Sequence, residues 1–216
     1  TETQTFAGSL NSKAATVADS VTVTSSYTIL NGRTINHDGS ENAQALVVAI
    51  NNTDSAADLS NITSNITNMT AKFTEAQTFT GNLNSKTATV DDGVTVTASA
   101  ADLTGDTVAA GGSGNIAITA LHTTPSANLG GLSSVGGTVT AAFGGTAEFT
   151  GTLGTAVVAV ADSAVMTAAF NKVSGKTINH DGSENGQSLI VTIADADNDA
   201  NLALINGSIA VSANFT

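Results

Sequence analysis

Asp195, Asp197 and Asp199 place three carboxylates at alternate positions of one short segment, Asp195-Ala196-Asp197-Asn198-Asp199. Oxygen ligands at i, i+2 and i+4 are how a short loop wraps a hard cation, so calcium is the cofactor this spacing could hold. The segment lacks the glycine expected at the sixth position and the bidentate glutamate at the twelfth, where Ala200 and Asn206 stand. The corresponding stretches elsewhere, Asn51-Asn52-Thr53-Asp54 and His122-Thr123-Thr124-Pro125, carry no such triplet. The expectation is therefore at most one calcium site per chain, with a solvated acidic turn as its alternative, and no other metal or cofactor.

A second motif that could do chemistry occurs twice. Asn36-His37-Asp38-Gly39-Ser40-Glu41-Asn42 reappears unchanged at Asn179 to Asn185. It holds His, Asp and Ser, but a nucleophilic triad is assembled by tertiary structure, and adjacent residues on a turn point in different directions. Duplication also argues for a repeated polar turn between strands. No catalytic residue is expected. Thr-x-Thr phrases at Thr22 and Thr95 raise a different chemistry, a flat threonine array that binds ice, but they lie about a whole repeat apart. A glycan-degrading cleft needs clustered aromatic and basic groups, and the chain has one Tyr (Tyr27), one Arg (Arg33) and no Trp.

The elements that must position these residues are dictated by a restricted alphabet. The 216 residues include 21 Gly, 7 Phe, one Pro and no Cys. With little aromatic volume, the core must be thin and built from Val, Ile, Leu and Ala, which suits stacked repetitive β-structure. Eighteen acidic against six basic residues give a net charge of −12. Such a polyanion is repelled by nucleic acid and by anionic lipid, and no apolar run is long enough to span a bilayer as a helix, so neither nucleic acid nor membrane insertion is expected.

Self-similarity organises the chain. Thr5-Phe6-Ala7-Gly8-Ser9-Leu10 recurs as Thr78 to Leu83 and as Glu148 to Leu153, offsets of 73 and 70 residues. Val17, Val90 and Val160 keep these offsets; Leu59, Leu129 and Leu202 keep 70 and 73; Phe73, Phe143 and Phe215 keep 70 and 72. Three tandem units follow, 1–76, 77–147 and 148–216.

Inside each unit the pattern is that of strands. Val21-Thr22-Val23-Thr24, Val94-Thr95-Val96-Thr97 and Ile116-Ala117-Ile118-Thr119 alternate apolar with polar or small residues, and β-branched side chains favour pleated backbone. Pairs such as Asn31-Gly32, Asp38-Gly39 and Asn206-Gly207 mark turns. The fold class is all-β. Two architectures fit it: a parallel β-solenoid, or a row of small β-sandwich domains. A 70–73-residue unit is short for a sandwich of ~100 residues. Strand phrases starting at Val21, Leu46, Ile66 and Val94 give a mean near 24 residues, three coils per unit, within the ~20–30 of solenoid turns. The solenoid is preferred.

Ala57-Asp58-Leu59-Ser60-Asn61-Ile62-Thr63 and Val90-Asp91-Asp92-Gly93-Val94-Thr95-Val96-Thr97 resemble the β-strand repeats of very large bacterial surface proteins: S-layer components, RTX-type secreted proteins and giant adhesins. The resemblance implies export, extension or lattice formation, and no catalytic residue. The RTX nonapeptide Gly-Gly-x-Gly-x-Asp is missing, so a calcium-filled roll is not implied.

Together these readings lead us to expect a structural or adhesive repeat module of an extracellular or cell-surface protein or filament, with a ligand-binding solenoid for ice or glycan as the alternative. The expected partner is the chain itself. Ala213-Asn214-Phe215-Thr216 matches Ala71-Lys72-Phe73-Thr74, and Thr5-Phe6 matches Thr78-Phe79, so Thr216 followed by Thr1 would resemble an internal junction. Head-to-tail contact between copies, or a longer array of the same repeats, is the arrangement that matches.

Overall fold

A computed structural model describes residues 2–39, 42–182, 184–197 and 199–216. The first unit supplies β1 (Glu2–Phe6), β2 (Ala15–Val17), β3 (Val21–Ser26), the single helical turn α1 (Tyr27–Leu30), β4 (Thr34–His37), β5 (Ala45–Ile50), β6 (Thr63–Ser64) and β7 (Met69–Phe73). The second supplies β8 (Gln77–Phe79), β9 (Ala88–Val90), β10 (Thr95–Ser99), α2 (Ala100–Leu103), β11 (Val108–Ala110), β12 (Asn115–Thr119), β13 (Leu132–Ser134) and β14 (Val139–Phe143). The third runs β15 (Ala147–Phe149), β16 (Val157–Val160), β17 (Val165–Ala169), α3 (Phe170–Val173), β18 (Ile178–His180), β19 (Ser188–Ile193) and β20 (Ala210–Phe215).

The fold is all-β, and every pairing between these strands is parallel. Seven strands form one sheet in the order β1-β3-β5-β7-β9-β11-β13, and six form another in the order β8-β10-β12-β14-β16-β18. A four-stranded sheet, β15-β17-β19-β20, and a three-stranded one, β2-β4-β6, complete the set. Sheets run across both unit boundaries, since β7 pairs with β9 and β14 with β16. Tandem antiparallel sandwiches are thereby replaced by successive coils, each laying a strand beside its predecessor.

The coil length differs from the expected mean near 24. In the seven-stranded sheet, Cα partners lie 19 residues apart at Glu2 and Val21, 23 at Thr22 and Ala45, 17 at Ala71 and Ala88, and 24 at Val108 and Leu132. The reason lies in the number of strand positions per unit. From β1 the chain returns to the same sheet at β3, β5 and β7, then moves one side further to β8, the matching strand of the next unit. Each unit thus makes about three and one third coils, near 22 residues each. The matching strands β1, β8 and β15 fall in three different sheets. Each unit is rotated one side relative to the last, yet the neighbours are preserved: β3 lies between β1 and β5, β10 between β8 and β12, and β17 between β15 and β19.

Alternation explains which residues face inward. In β10 the buried Val96 and Ala98 alternate with the less buried Thr95, Thr97 and Ser99. Inward columns stack apolar residues across coils, as in Phe79↔Ala98↔Ile118↔Ala141↔Val158↔Ile178. Each fully buried Val, Leu, Ile or Phe contributes about 1.5–3 kcal/mol. Phe73, Phe79, Phe143 and Phe149 are the largest of them. Phe73 and Phe79 meet edge to face, ring centroids 5.1 Å apart, where the first unit turns into the second. At one corner Ser99 caps α2: its hydroxyl accepts from Asp102 N–H while the Asp102 carboxylate accepts from Ser99 N–H, a reciprocal pair that ends β10 and starts the turn.

Candidate functional site at the coil ends

The two sequence motifs with possible chemistry are built into turns. Asp195–Asp197 forms a short 3-10 turn, and Asn198 lies outside the described residues. Asp197 N–H donates to Ala194 O at 2.8 Å, and the Asp197 carboxylate accepts from Ala194 N–H at 3.4 Å. The matching Asp54 closes the same turn: it is 5% exposed, accepts from the Thr28 hydroxyl at 2.6 Å and from Asn51 N–H at 3.3 Å. Asp195 and Asp199 are exposed. Among the described residues, no three His, Cys, Asp or Glu side chains gather into a metal cage.

The His37 and His180 phrases end β4 and β18. In each, the histidine Nδ1 accepts from the glycine N–H two residues on, Gly39 or Gly182, at 3.3 Å. Ser40, Glu41 and Ser183 lie outside the described residues.

Sequence reasoning missed what this turn engages. Asn42 donates to Asp19 at 3.0 Å, and Asn185 donates to Asp162 at 3.0 Å, each linking one coil to the previous one. In the middle unit Asp92 holds the same place and accepts from the Ser113 hydroxyl at 2.7 Å and its N–H at 2.6 Å. Those two bonds stabilise the charged form and pull the Asp92 carboxyl below its usual range. The signal that could have found this set is the thrice-repeated aspartate opening a coil, at Asp19, Asp92 and Asp162.

The least ordinary surfaces are the ends of the stack. At one end, β1 pairs only with β3 and β2 only with β4. Between them opens an apolar hollow of about 240 Å³, lined by Phe6, Leu10, Ala15, Val17, Leu30 and Ile35 among others. At the other end β20 pairs only with β19 and is exposed along its whole length. There a larger hollow of about 650 Å³ lies among Ile193, Ala200, Leu202, Ala213 and Phe215, with Asp195 and Asp197 also lining it.

No family model matches the chain, and no curated protein or solved structure is significantly similar to it.

The end faces carry the clearest chemistry, and the internal junctions show what such faces fit. Phe73 and Phe143, which match Phe215, are 0% exposed because β9 and β16 cover them; Phe215 is 79% exposed. An unpaired parallel edge presents backbone N–H and C=O groups to any strand that can align with it. What the ends can do is extend the sheets and the apolar interior into another coil. Between the ends, no helix of the described residues is long and apolar enough to cross a membrane.

Proposed function

We propose that this chain is a structural or adhesive repeat module of an extracellular surface protein or filament, wound as a parallel β-solenoid and working through end-to-end contact with copies of itself. The observation that carries the reading is the pair of unsealed ends: each combines unpaired strand edges with an opening into the apolar interior. Polar caps normally shield such ends in repeat proteins. The acidic, cysteine-free composition suits a chain exported and held in extended assemblies. The function is non-catalytic, since the His37 and His180 phrases are engaged in closing turns.

The threonine ladders give less support to ice binding. Thr3 and Thr5 sit beside Thr22 and Thr24, but the next rung replaces them with Ala45 and Val47.

Electron microscopy of the purified chain, at rising concentration and in raised salt to screen its −12 charge, tests the reading. Rods or fibres one coil wide are expected; isolated short particles at every concentration would remove the self-assembly on which it rests.

Calcium at Asp195, Asp197 and Asp199 belongs to the same reading as a secondary element. The three carboxylates repel one another beside the C-terminal end face, and a bound cation relieves that repulsion and stabilises the fold. The melting temperature should be higher with calcium than with chelator, and equal values would reduce the segment to a solvated turn.

A further inference from the structure

A glycine with no steric reason to be one points to the geometry of the contact between copies. Gly81 and Gly151 occupy matching places after β8 and β15. A Cβ on Gly81 would come 2.0 Å from the Ala57 carbonyl oxygen, and one on Gly151 would come 2.1 Å from that of Ala127. Both positions must be glycine because the previous coil passes directly beneath. Gly8 holds the same place in the first unit. There an added Cβ would meet only the edge of the Phe6 ring, at 3.2 Å. Nothing within this chain uses the space that Gly8 leaves open. The residue matching Ala57 and Ala127 is Ala200, which lines the opposite end face.

The rest of both internal junctions is repeated as closely. Asn82 N–H donates to Ala57 O at 2.9 Å and Thr152 N–H to Ala127 O at 2.9 Å, while Leu59 and Leu129 N–H donate back to Asn82 O and Thr152 O at 2.9 and 2.8 Å. One rung on, Ala71, Lys72 and Phe73 face Ala88, Thr89 and Val90, and Asp91 N–H closes on Phe73 O at 3.0 Å. In the second junction Phe143 faces Val160, and Ala161 N–H closes on Phe143 O at 3.1 Å.

We infer that the N-terminal end face of one copy seats on the C-terminal end face of a second copy in this same register, with Gly8 as the residue that admits the contact. Ala15, Thr16 and Val17 lie beside Ala213, Asn214 and Phe215 of the second copy. Ser9 exchanges main-chain hydrogen bonds with Ala200 and Leu202 across the joint. Phe6 and Leu10 cover Phe215, and the rotation of one side per unit continues unbroken from copy to copy. This deepens the end-to-end reading above and rests on it.

The chain has no cysteine, so a paired substitution reports the joint without background. Thr16 and Asn214 are outward-facing, as are their counterparts Lys72 and Thr89, and the register sets them on adjacent strands at a spacing a disulfide can bridge. Within one copy they lie at opposite ends of the stack, roughly 40 Å apart at ~4.8 Å per coil, so any disulfide joins two copies. Oxidation of Thr16→Cys/Asn214→Cys should give a ladder of dimers, trimers and longer species on a non-reducing gel. The pair Thr16→Cys/Ser212→Cys, two residues out of register, should give a weak ladder or none. Adding Gly8→Ala to the in-register pair should cut the cross-linked yield at least ~10-fold, equivalent to about 1.4 kcal/mol, while circular dichroism and melting temperature stay those of the parent. Equal ladders from the two pairs, or an undiminished ladder with Gly8→Ala in a folded chain, would overturn the register and leave end-to-end assembly standing if rods are still seen by microscopy. Absence of both ladder and rods removes the proposal together with the assembly reading.

Discussion

A phenylalanine in this chain is worth what the coils on either side of it make it worth. Phe6, Phe79 and Phe149 match in sequence, and the last two are fully buried, whereas Phe6 is only partly covered because no coil lies beneath it. The same contrast separates Leu59 and Leu129 from Leu202, and Phe73 and Phe143 from Phe215. Each trio splits only at an end. Phe79→Ala removes a ring packed against Phe73 and should destabilise the chain by about 3–5 kcal/mol. Phe6→Ala should cost about 1 kcal/mol, since much of that ring already meets solvent. Chemical denaturation of the two variants measures both. Similar losses would mean that the end coil is covered in solution, as it would be in an assembled rod, and repeating the measurement at low concentration separates the two cases.

Strands were legible in the sequence to the extent that they alternate. Val21 to Thr24, Val94 to Thr97 and Ile116 to Thr119 all fall in β3, β10 and β12 or at their margins, because a two-residue period with β-branched side chains fits only pleated backbone. Ala56-Ala57-Asp58-Leu59 was legible as a corner for a different reason: a short apolar phrase with Asp ahead of Leu suits a one-turn cap, and the Asp58 side chain accepts from Ser60 N–H. The side of the coil on which each strand lies was not legible. Matching residues guarantee matching neighbours, and a coil with three similar sides gives β1, β8 and β15 the same neighbours on three different sheets. A repeat of 70–73 residues therefore reads as three whole coils when it is about three and a third. The aspartates at 19, 92 and 162 were hidden by a related effect. Their partners lie about a coil away, on Asn42, Ser113 and Asn185, and the middle unit reaches the same contact with a different residue.

At the scale of the molecule, the rotation of one side per unit makes the stack a screw whose ends are complementary, and complementarity can be measured as stability. Repeat stacks behave approximately as sums of unit and nearest-neighbour terms. A chain fused as two copies, Thr216 joined directly to Thr1, places six residues between Phe215 and Phe6, against five between Phe73 and Phe79 and five between Phe143 and Phe149. One extra residue is tolerated at an exposed turn, so the screw can continue across the fusion. Two end faces are then buried that separate copies leave open. Covering Phe215, Phe6 and Leu10 at about 1.5–3 kcal/mol each outweighs the closure cost of so short a connection. The fused chain should melt in one transition, higher than the single copy by on the order of 5 °C. Gly8→Ala placed in the second copy alone should return the melting temperature to that of the single copy, because the alanine methyl meets the Ala200 carbonyl only when the two halves are stacked. A fused chain that melts at the single-copy temperature, indifferent to that alanine, would mean that the two faces do not fit, and that the open edges of β1 and β20 are left to water.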